Sequence, residues 1–526
     1  MASKHGAPVR GRDNVPRSSI REARFGRLFR NLPPAEFTEA ALVDLASTMF
    51  HGEFAEKIAK GEPVDVALNA TEPEDENPTI PAGYTYLGQF IDHDITFDPV
   101  SSLDRFNDPD ALQDFRTPRL DLDSVYGSGP DDQPFLYEKD GKHLLVGDDK
   151  DFDGRGKRPD LPRNTAKPRR ALIGDKRNDE NVIVSQLHTL FVRFHNAVLN
   201  TAAKGDFAKA QQLVRWHYQW IVLHKFIKRV VGDATYKQVV GKPGQEPTIR
   251  FFDPKGRFAY IPIEFSAAAY RFGHSMVRPS YALNRVVTAA TPSDQPFSGK
   301  TAHFHRIPIF SSLDAEGNPL ANLNGFRELP GSWAIDWSFF FDGVDPDGQP
   351  PSGAKLPQPS YKLDTVLVDP LTSLPDHQDQ PIPRQALAVL NLLRGWRLQL
   401  PSGQSVARRM GFIALTDDEL FAHDDPERKG ARQRVLNTHR QFFEDNAPLW
   451  FYILREAEFR GGSAHLGPVG GTIVAEVLAG LIQEDRQSFL SQWPTWRPTL
   501  PSHEARDFSM ADLVALTNTH ADDHRP

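Results

Sequence analysis

The stretch YLGQFIDHDITFD, residues 86–98, sets an aspartate, a histidine and a second aspartate side by side at positions 92, 93 and 94, among apolar neighbours. An imidazole flanked by carboxylates suits general acid–base chemistry, because its unperturbed pKa of about 6.5 lets it take and return a proton near neutral pH. On a helix turning about 100° per residue, Gln89, Asp92 and His93 fall within an arc of roughly 100°, and Asp94 points about 100° away from His93. One face then offers an amide, a carboxylate and an imidazole, and the next face a second carboxylate. Taken alone, the same residues also fit a solvated acidic turn or a metal site.

Three further stretches carry chemistry. In RTPRLDLDSVYGS (116–128), Thr117, Asp121 and Asp123 alternate oxygen-bearing side chains along a loop, a spacing that suits a hard cation such as Ca²⁺. The loop lacks the glycine and terminal glutamate of an EF-hand, and a solvated acidic loop has the same composition. In GDKRNDEN (174–181), Arg177 and Glu180 stand at i and i+3 of an expected helix start and share a face there, as a surface ion pair also would. In YRFGHSM (270–276), His274 follows Gly273 in an apolar helical context, where core packing and ligation are both open.

These groups need a scaffold, and the chain is long enough for a large core. It has 526 residues, of which 39% are hydrophobic and 25% charged. The net charge of −8 and the lack of a basic patch argue against nucleic acid as a partner. With no cysteine, disulfides, thiolate metal sites and cysteine nucleophiles are excluded. The first 29 residues lack an apolar run of signal-peptide length. The most apolar stretch, VGGTIVAEVLAGLI (469–482), is too short to span a bilayer, is interrupted by Glu476, and reads as a buried helix.

Apolar spacing predicts helices over 34–50 (with a threonine cap), 84–95, 178–203, 208–231, 264–277, 384–397, 430–459 and 470–491. Residues 70–82, 95–165 and 286–385 read as loop, and PDGQPPSGAKLPQPS (346–360) as irregular. Strand alternation is scarce. The expected architecture is mainly α: one large helical domain, 36–526, with long irregular loops and little β, preceded by a flexible arm, 1–35. His188 and His195 share a helix face with Phe191 and Phe194 and read as core. The HFH at 303–305 shows no third ligand and is assigned nothing.

Taken in order, GQFIDHD, VYGS, RNDE…LHTLFVRFHN, YRFGH and LNLLRG make the chain resemble the animal-type haem peroxidases of the peroxidase–cyclooxygenase superfamily, as a bacterial member. The resemblance runs from about Tyr86 to the helix near 480. It implies a helical haem-peroxidase domain around one buried haem b. His93 corresponds to the distal histidine, Gln89 to its neighbouring glutamine and Arg177 to the distal arginine. His274 corresponds to the proximal iron ligand, Asn391 to the asparagine that hydrogen-bonds its far nitrogen, and Arg394 to a residue that holds a haem propionate. Asp92 and Glu180 correspond to two carboxylates ester-linked to haem methyls. Asp94, Thr117, Arg119 (through its backbone oxygen), Asp121 and Asp123 correspond to a calcium shell.

The function so implied is reduction of hydrogen peroxide and oxidation of small donors (phenols, iodide, thiocyanate or bromide) through a ferryl intermediate. Asn181 stands where some mammalian members carry a methionine that forms a third haem link, which argues against strong chloride oxidation. Asp123 replaces the usual serine of the calcium loop. Arg271 occupies the place of the radical-forming tyrosine of cyclooxygenase-like enzymes, and Tyr270, one residue earlier, is expected to point elsewhere on a helix. Two alternatives stay open: a fatty-acid dioxygenase on the same scaffold, and a non-catalytic binding or adhesion protein that keeps the fold. Oligomeric state and compartment are not legible, whether cytoplasmic or exported without a recognisable leader.

Overall fold

The computed structural model of the chain describes residues 24–62, 73–98, 101–108, 112–151, 157–254, 259–289, 306–310, 322–346 and 356–520. Residues 1–23 of the expected arm and the HFH at 303–305 lie outside them. Residues 24–35, placed in the arm by composition, pack on the body instead. Phe25–Gly26 pairs in parallel with Ile261–Pro262, Phe25 and Phe29 are buried, and the Glu264 carboxylate accepts the N–H groups of Leu28 and Phe29 at 2.8 and 3.1 Å.

The fold is mainly α. Its centre is the helix Val182–Asn200, buried along its whole length up to Leu199. It packs against Phe207–Ile221, which continues through a π turn, Val222–Phe226, into Ile227–Val239. That last helix kinks at Gly232, whose φ of 73° and close contact with the His465 ring leave no room for a side chain. The apolar run 468–484 forms a buried helix against it. Glu476 is accommodated there because its carboxylate accepts three backbone N–H groups, from Arg250, Phe251 and Phe252, at 3.0, 2.7 and 3.1 Å. Among the described residues, no helix is long and apolar enough to cross a membrane.

Four two-stranded pairings make up the regular β structure of the described residues. The longest strand, Glu76–Pro81, falls where a polar loop was expected, because it pairs with Pro359–Tyr361 from the far half of the chain. The helix that carries the DHD triplet, Gly83–Ile95, is anchored beside it. Ala82 and Gly83 donate backbone N–H groups to Gln358 O and Phe340 O, each at 2.9 Å, and a Cβ on Gly83 would lie 2.5 Å from Phe340 O. Thr38 caps the helix Glu39–Ser47 by accepting from the Ala41 N–H.

Two expected helices differ in a way that shapes the site. Residues 176–179 form a 3-10 turn, and the following α-helix begins at Val182 because Asn181 caps it, accepting from Ile183 N and Val184 N. The alanine run near 267 yields only a short α turn, Ile263–Ser266, followed by a 3-10 helix, Ala269–His274.

Candidate active site

A cavity of about 600 Å³ is bordered on one side by Gln89, Asp92 and His93 of the helix Gly83–Ile95. Glu180 and Asn181 border it from the capped turn, and Tyr270, Arg271 and His274 from the 3-10 helix. Ile309, Phe310, Leu323, Leu371 and Leu374 give it an apolar flank. Its size is in the range of sites for cofactors and small ligands.

His93 is buried, and its Nδ1 lies 2.8 Å from Asn178 Oδ1. An amide oxygen can only accept, so the ring donates from Nδ1 and its Nε2, which lies 3.5 Å from Glu180 Oε1, is the nitrogen on the Glu180 side. The Gln89 amide also donates to Glu180. Burial would raise the Glu180 carboxyl, but its contact with His93, the Arg177 cation and Gln89 outweigh that and hold it below the ordinary value.

Arg177 does not border the cavity. Its Nη2 donates to Asp175 Oδ2 at 2.8 Å and to the backbone oxygens of His93 and Thr96 at 3.1 and 2.5 Å, and its guanidinium lies 4.7 Å over the Phe97 ring. It therefore grips the end of the helix from behind His93. Arg177 and Glu180 take different partners instead of pairing: Arg177 turns to Asp175 and the end of the helix, and Glu180 to Gln89 and His93.

Asp94 lies on the other face of the same helix, fully buried. Its carboxylate accepts the Leu122 N–H at 3.1 Å, and oxygens of Asp94, Asp121 and Asp123 all lie within 4.8 Å of one another. Thr117 Oγ1 joins them through Asp121 at 3.1 Å, and Arg119 sits in the same turn, its N–H on Thr117 O at 2.7 Å. Leu122, at φ 59°, occupies the left-handed region that turns its two neighbours toward Asp94. Burial, then Asp121 and Asp123, push the Asp94 carboxyl well above its ordinary value. Three convergent carboxylates, those of Asp94 and Asp123 buried, fit a hard cation.

His274 borders the same cavity; its Nδ1 lies 2.8 Å from Asn391 Nδ2, and Arg271 Nη1 donates to Asn391 Oδ1 at 2.6 Å. The expected partnership of His274 and Asn391 is present with the opposite polarity, because Arg271 claims the amide oxygen. An imidazole that binds metal through Nε2 carries its proton on Nδ1 and must donate. Asn391 would then have to turn its amide over and Arg271 find another acceptor. Burial and the Arg271 charge push His274 down to about 3, so the ring is neutral. Burial and the nearby Arg394 lower Arg271 to about 10, and burial also lowers Arg394, which reaches Ser101 Oγ at 2.5 Å and Asp98 at 3.4 Å. A desolvated guanidinium, Arg271, and the neutral imidazole of His274 on the cavity wall, with Arg394 close to Arg271, fit a ligand that carries both a metal and carboxylates.

Tyr270 also borders this cavity, its hydroxyl donating to Gly88 O at 3.2 Å, whereas an α-helix would have turned it away. Asn178 and Asp175 escaped the reading of the sequence, since nothing local marks an asparagine that meets His93 or an aspartate that joins Arg116 to Arg177, and Arg271 was read only as standing in the place of a tyrosine. His195 is a core residue, bonded to Tyr126 and to Lys142 O at 3.0 Å each. His188 is buried too, but it meets Asn178.

A family model described as animal haem peroxidase matches residues 104–314, a span that includes the cation loop, Arg177, Glu180 and His274 but neither the DHD helix nor Asn391 and Arg394. Peroxidasin of Drosophila melanogaster is 24% identical over 344 residues, covering 64% of this chain and 19% of its own. The chain matches about a fifth or less of the length of such curated relatives. Peroxidase A from Dictyostelium discoideum has the same fold at a TM-score of 0.55 and 15% identity, over 95% of this chain and 93% of that one. A fatty acid alpha-dioxygenase of Arabidopsis thaliana aligns at a TM-score of 0.52 and 16% identity, over 96% of this chain and 78% of that one.

Proposed function

We propose that this chain, which belongs to the animal haem peroxidase family, reduces hydrogen peroxide and oxidises small donors, namely phenols, iodide, thiocyanate or bromide. One observation carries the reading: His93 and the neutral His274 border a single cavity, together with the carboxylates of Asp92 and Glu180 and the guanidinium of Arg271.

His274 would hold the iron of a haem b, and Arg271 and Arg394 would receive its propionates. Asp92 and Glu180 border the cavity and would form ester bonds to its methyl groups. When bound, haem supplies a redox-active iron that takes oxidising equivalents from peroxide and passes them to a donor. The residues of the chain manage the protons. His93 Nε2 takes one from the near oxygen of peroxide and returns it to the far oxygen, which leaves as water. Glu180, which accepts from Gln89, lies 3.5 Å from Nε2 on the cavity side and would favour the positive charge that the ring gains with that proton. Arg177 contributes its charge from behind His93, where Asp175 and the helix end fix it. Asp94, Thr117, the Arg119 backbone oxygen, Asp121 and Asp123 would hold Ca²⁺ and tie the 117–123 loop to the helix that aims His93.

Asn181, which caps the helix Val182–Asn200, has no sulfur with which to form a third haem link, and the donors are those easier to oxidise than chloride. A second reading, oxidation of a fatty acid by dioxygen, is favoured by Tyr270 and the apolar flank of the cavity. The two separate in one experiment. The expected result is peroxide-dependent oxidation of a chromogenic phenol, slowed roughly 10²- to 10⁴-fold in His93→Ala, the usual worth of general acid–base catalysis. Oxygen uptake with a polyunsaturated fatty acid, without phenol turnover, would replace the first reading by the second. Neither activity, in protein that holds haem, would make the chain a binding protein.

A further inference from the structure

We propose that Asn178 is a positioning residue that fixes the tautomer of His93, and that His188 in turn fixes Asn178. The inference rests on the peroxidase reading only for its consequence; the tautomer itself is a property of the chain.

Asn178 is fully buried on the 3-10 turn Lys176–Asp179, between two imidazoles. Its Oδ1 lies 2.8 Å from His93 Nδ1 and its Nδ2 lies 3.0 Å from His188 Nδ1. An amide has one accepting end and one donating end, so the two contacts assign each other's protons. The donating end faces His188, whose Nδ1 must be an acceptor. The accepting end faces His93, whose Nδ1 must carry the proton. Burial pushes His188 down to about 3, which keeps it a neutral ring able to accept. Both rings come from elements that cannot easily turn: His93 from the anchored helix Gly83–Ile95, and His188 from the middle of the fully buried helix Val182–Asn200.

The consequence lies at the other nitrogen. A neutral imidazole has one proton, and which nitrogen carries it is set by the hydrogen bond that the other makes. With the proton held on Nδ1 by Asn178, Nε2 presents a lone pair and can accept a proton from peroxide without first rearranging. With the amide reversed, Nε2 would carry the proton and face Glu180 as a donor, and the base would be blocked. The amide as placed, Oδ1 on His93 and Nδ2 on His188, sets the first arrangement, and Glu180, 3.5 Å from Nε2, makes no short hydrogen bond that would set the second.

The test reads the tautomer directly. The full chain is labelled with ¹⁵N-histidine, its haem is kept in the diamagnetic ferrous carbonyl form, and the His93 resonances are identified by their loss in His93→Gln. The expected spectrum shows His93 protonated on Nδ1. Asn178→Leu, close in volume and without polar atoms, is expected to shift the ring to a mixture or to Nε2–H. It is also expected to slow the peroxide step roughly 10- to 100-fold, as losing an orienting partner typically does, with the KM for the donor unchanged. His188→Leu is expected to cost less, and nothing further in the Asn178→Leu background, because it acts through Asn178. A wild-type ring protonated on Nε2 would overturn the proposal without any variant, as would additive effects of the two substitutions. If the wild-type tautomer is as expected but the protein shows no peroxide turnover, the peroxidase reading fails and this one stands; a chain that takes up no haem gives the same answer from its spectrum without it.

Discussion

Replacing Asp94 by asparagine should reverse sign with calcium. The oxygens of Asp94, Asp121 and Asp123 lie no more than 4.8 Å apart, so each ionised pair repels by at least about 3.5 kcal/mol at an effective dielectric constant of roughly 20. Arg116, 3.1 Å from Asp123 Oδ1, offsets part of this for Asp123 and, from farther off, for Asp94. Without a cation the cluster is a burden on the fold, and Asp94→Asn removes two of its three repulsive pairs. With a divalent cation the same three charges become its ligands, and the substitution weakens the site. At a calcium concentration about 100 times the Kd, binding should stabilise the wild-type chain by about 2.7 kcal/mol. For 526 residues, with an unfolding entropy of about 2.1 cal/mol/K per residue, that corresponds to a rise in Tm of about 2–3 °C. Asp94→Asn should therefore melt below the wild type in calcium, and level with it or above it in chelator. Thermal unfolding of both proteins in the two conditions, with calcium counted by elemental analysis, tests this. Equal calcium content in both proteins, or the same loss of Tm in calcium and in chelator, would refute the cation assignment and leave Asp94 as an ordinary buried hydrogen-bonding group.

Two further outcomes follow from the site and its surroundings. Haem in peroxide-treated protein should resist acid-acetone extraction and become extractable in the double variant Asp92→Asn, Glu180→Gln; complete extraction from the wild type would exclude the ester links. Away from the site, Glu456 is buried and accepts the N–H groups of Val469 and Gly470 at 2.8 and 3.3 Å, and burial raises its carboxyl from 4.5 to about 7. A carboxyl raised in the folded state binds its proton more tightly there than in the unfolded chain. Its contribution is thus fully present below the unfolded value and lost as the pH rises through the folded one, by about 3 kcal/mol at most. Glu456→Gln should flatten the fall in urea midpoint between pH 5 and 8, and an unchanged slope would count against this assignment.

What the sequence disclosed was local. The helix Gly83–Ile95 follows from its own apolar spacing, and Thr38 announces the helix it caps. The strand Glu76–Pro81 could not be read from its polar composition, because its partner is Pro359–Tyr361 and a strand is defined by its partner as much as by itself. The alanines before His274 favour helix intrinsically, yet packing draws that segment into a 3-10 turn, and propensities of a fraction of a kcal/mol per residue are readily overridden so. That substitution moved Tyr270 into the cavity and set Arg271 on Asn391. The residues with chemistry on one helix face, Gln89, Asp92 and His93, were legible from spacing alone, whereas Asn178 and Asp175 act through partners far away in the chain and carry no local mark.

The two halves of the site are joined by charge. Asp123 of the cation cluster accepts from Arg116, Arg116 donates to Asp175 through Nε at 2.8 Å, and Asp175 in turn holds Arg177. Burial would raise the Asp175 carboxyl, but the two guanidiniums overcome it and keep it far below the usual carboxylate range. Such a chain cannot lose a member quietly, because each buried charge relies on the next for compensation. If the cation proposed for this cluster were bound and then left, Asp123 would draw more strongly on Arg116, loosening the hold of Arg116 on Asp175. Asp175 would then depend more on Arg177, the residue whose grip on the His93 and Thr96 carbonyls ends the helix that carries His93. The carboxylate cluster and His93 thus share one helix, on adjacent faces, and are joined as well by the run of ion pairs from Asp123 to Arg177.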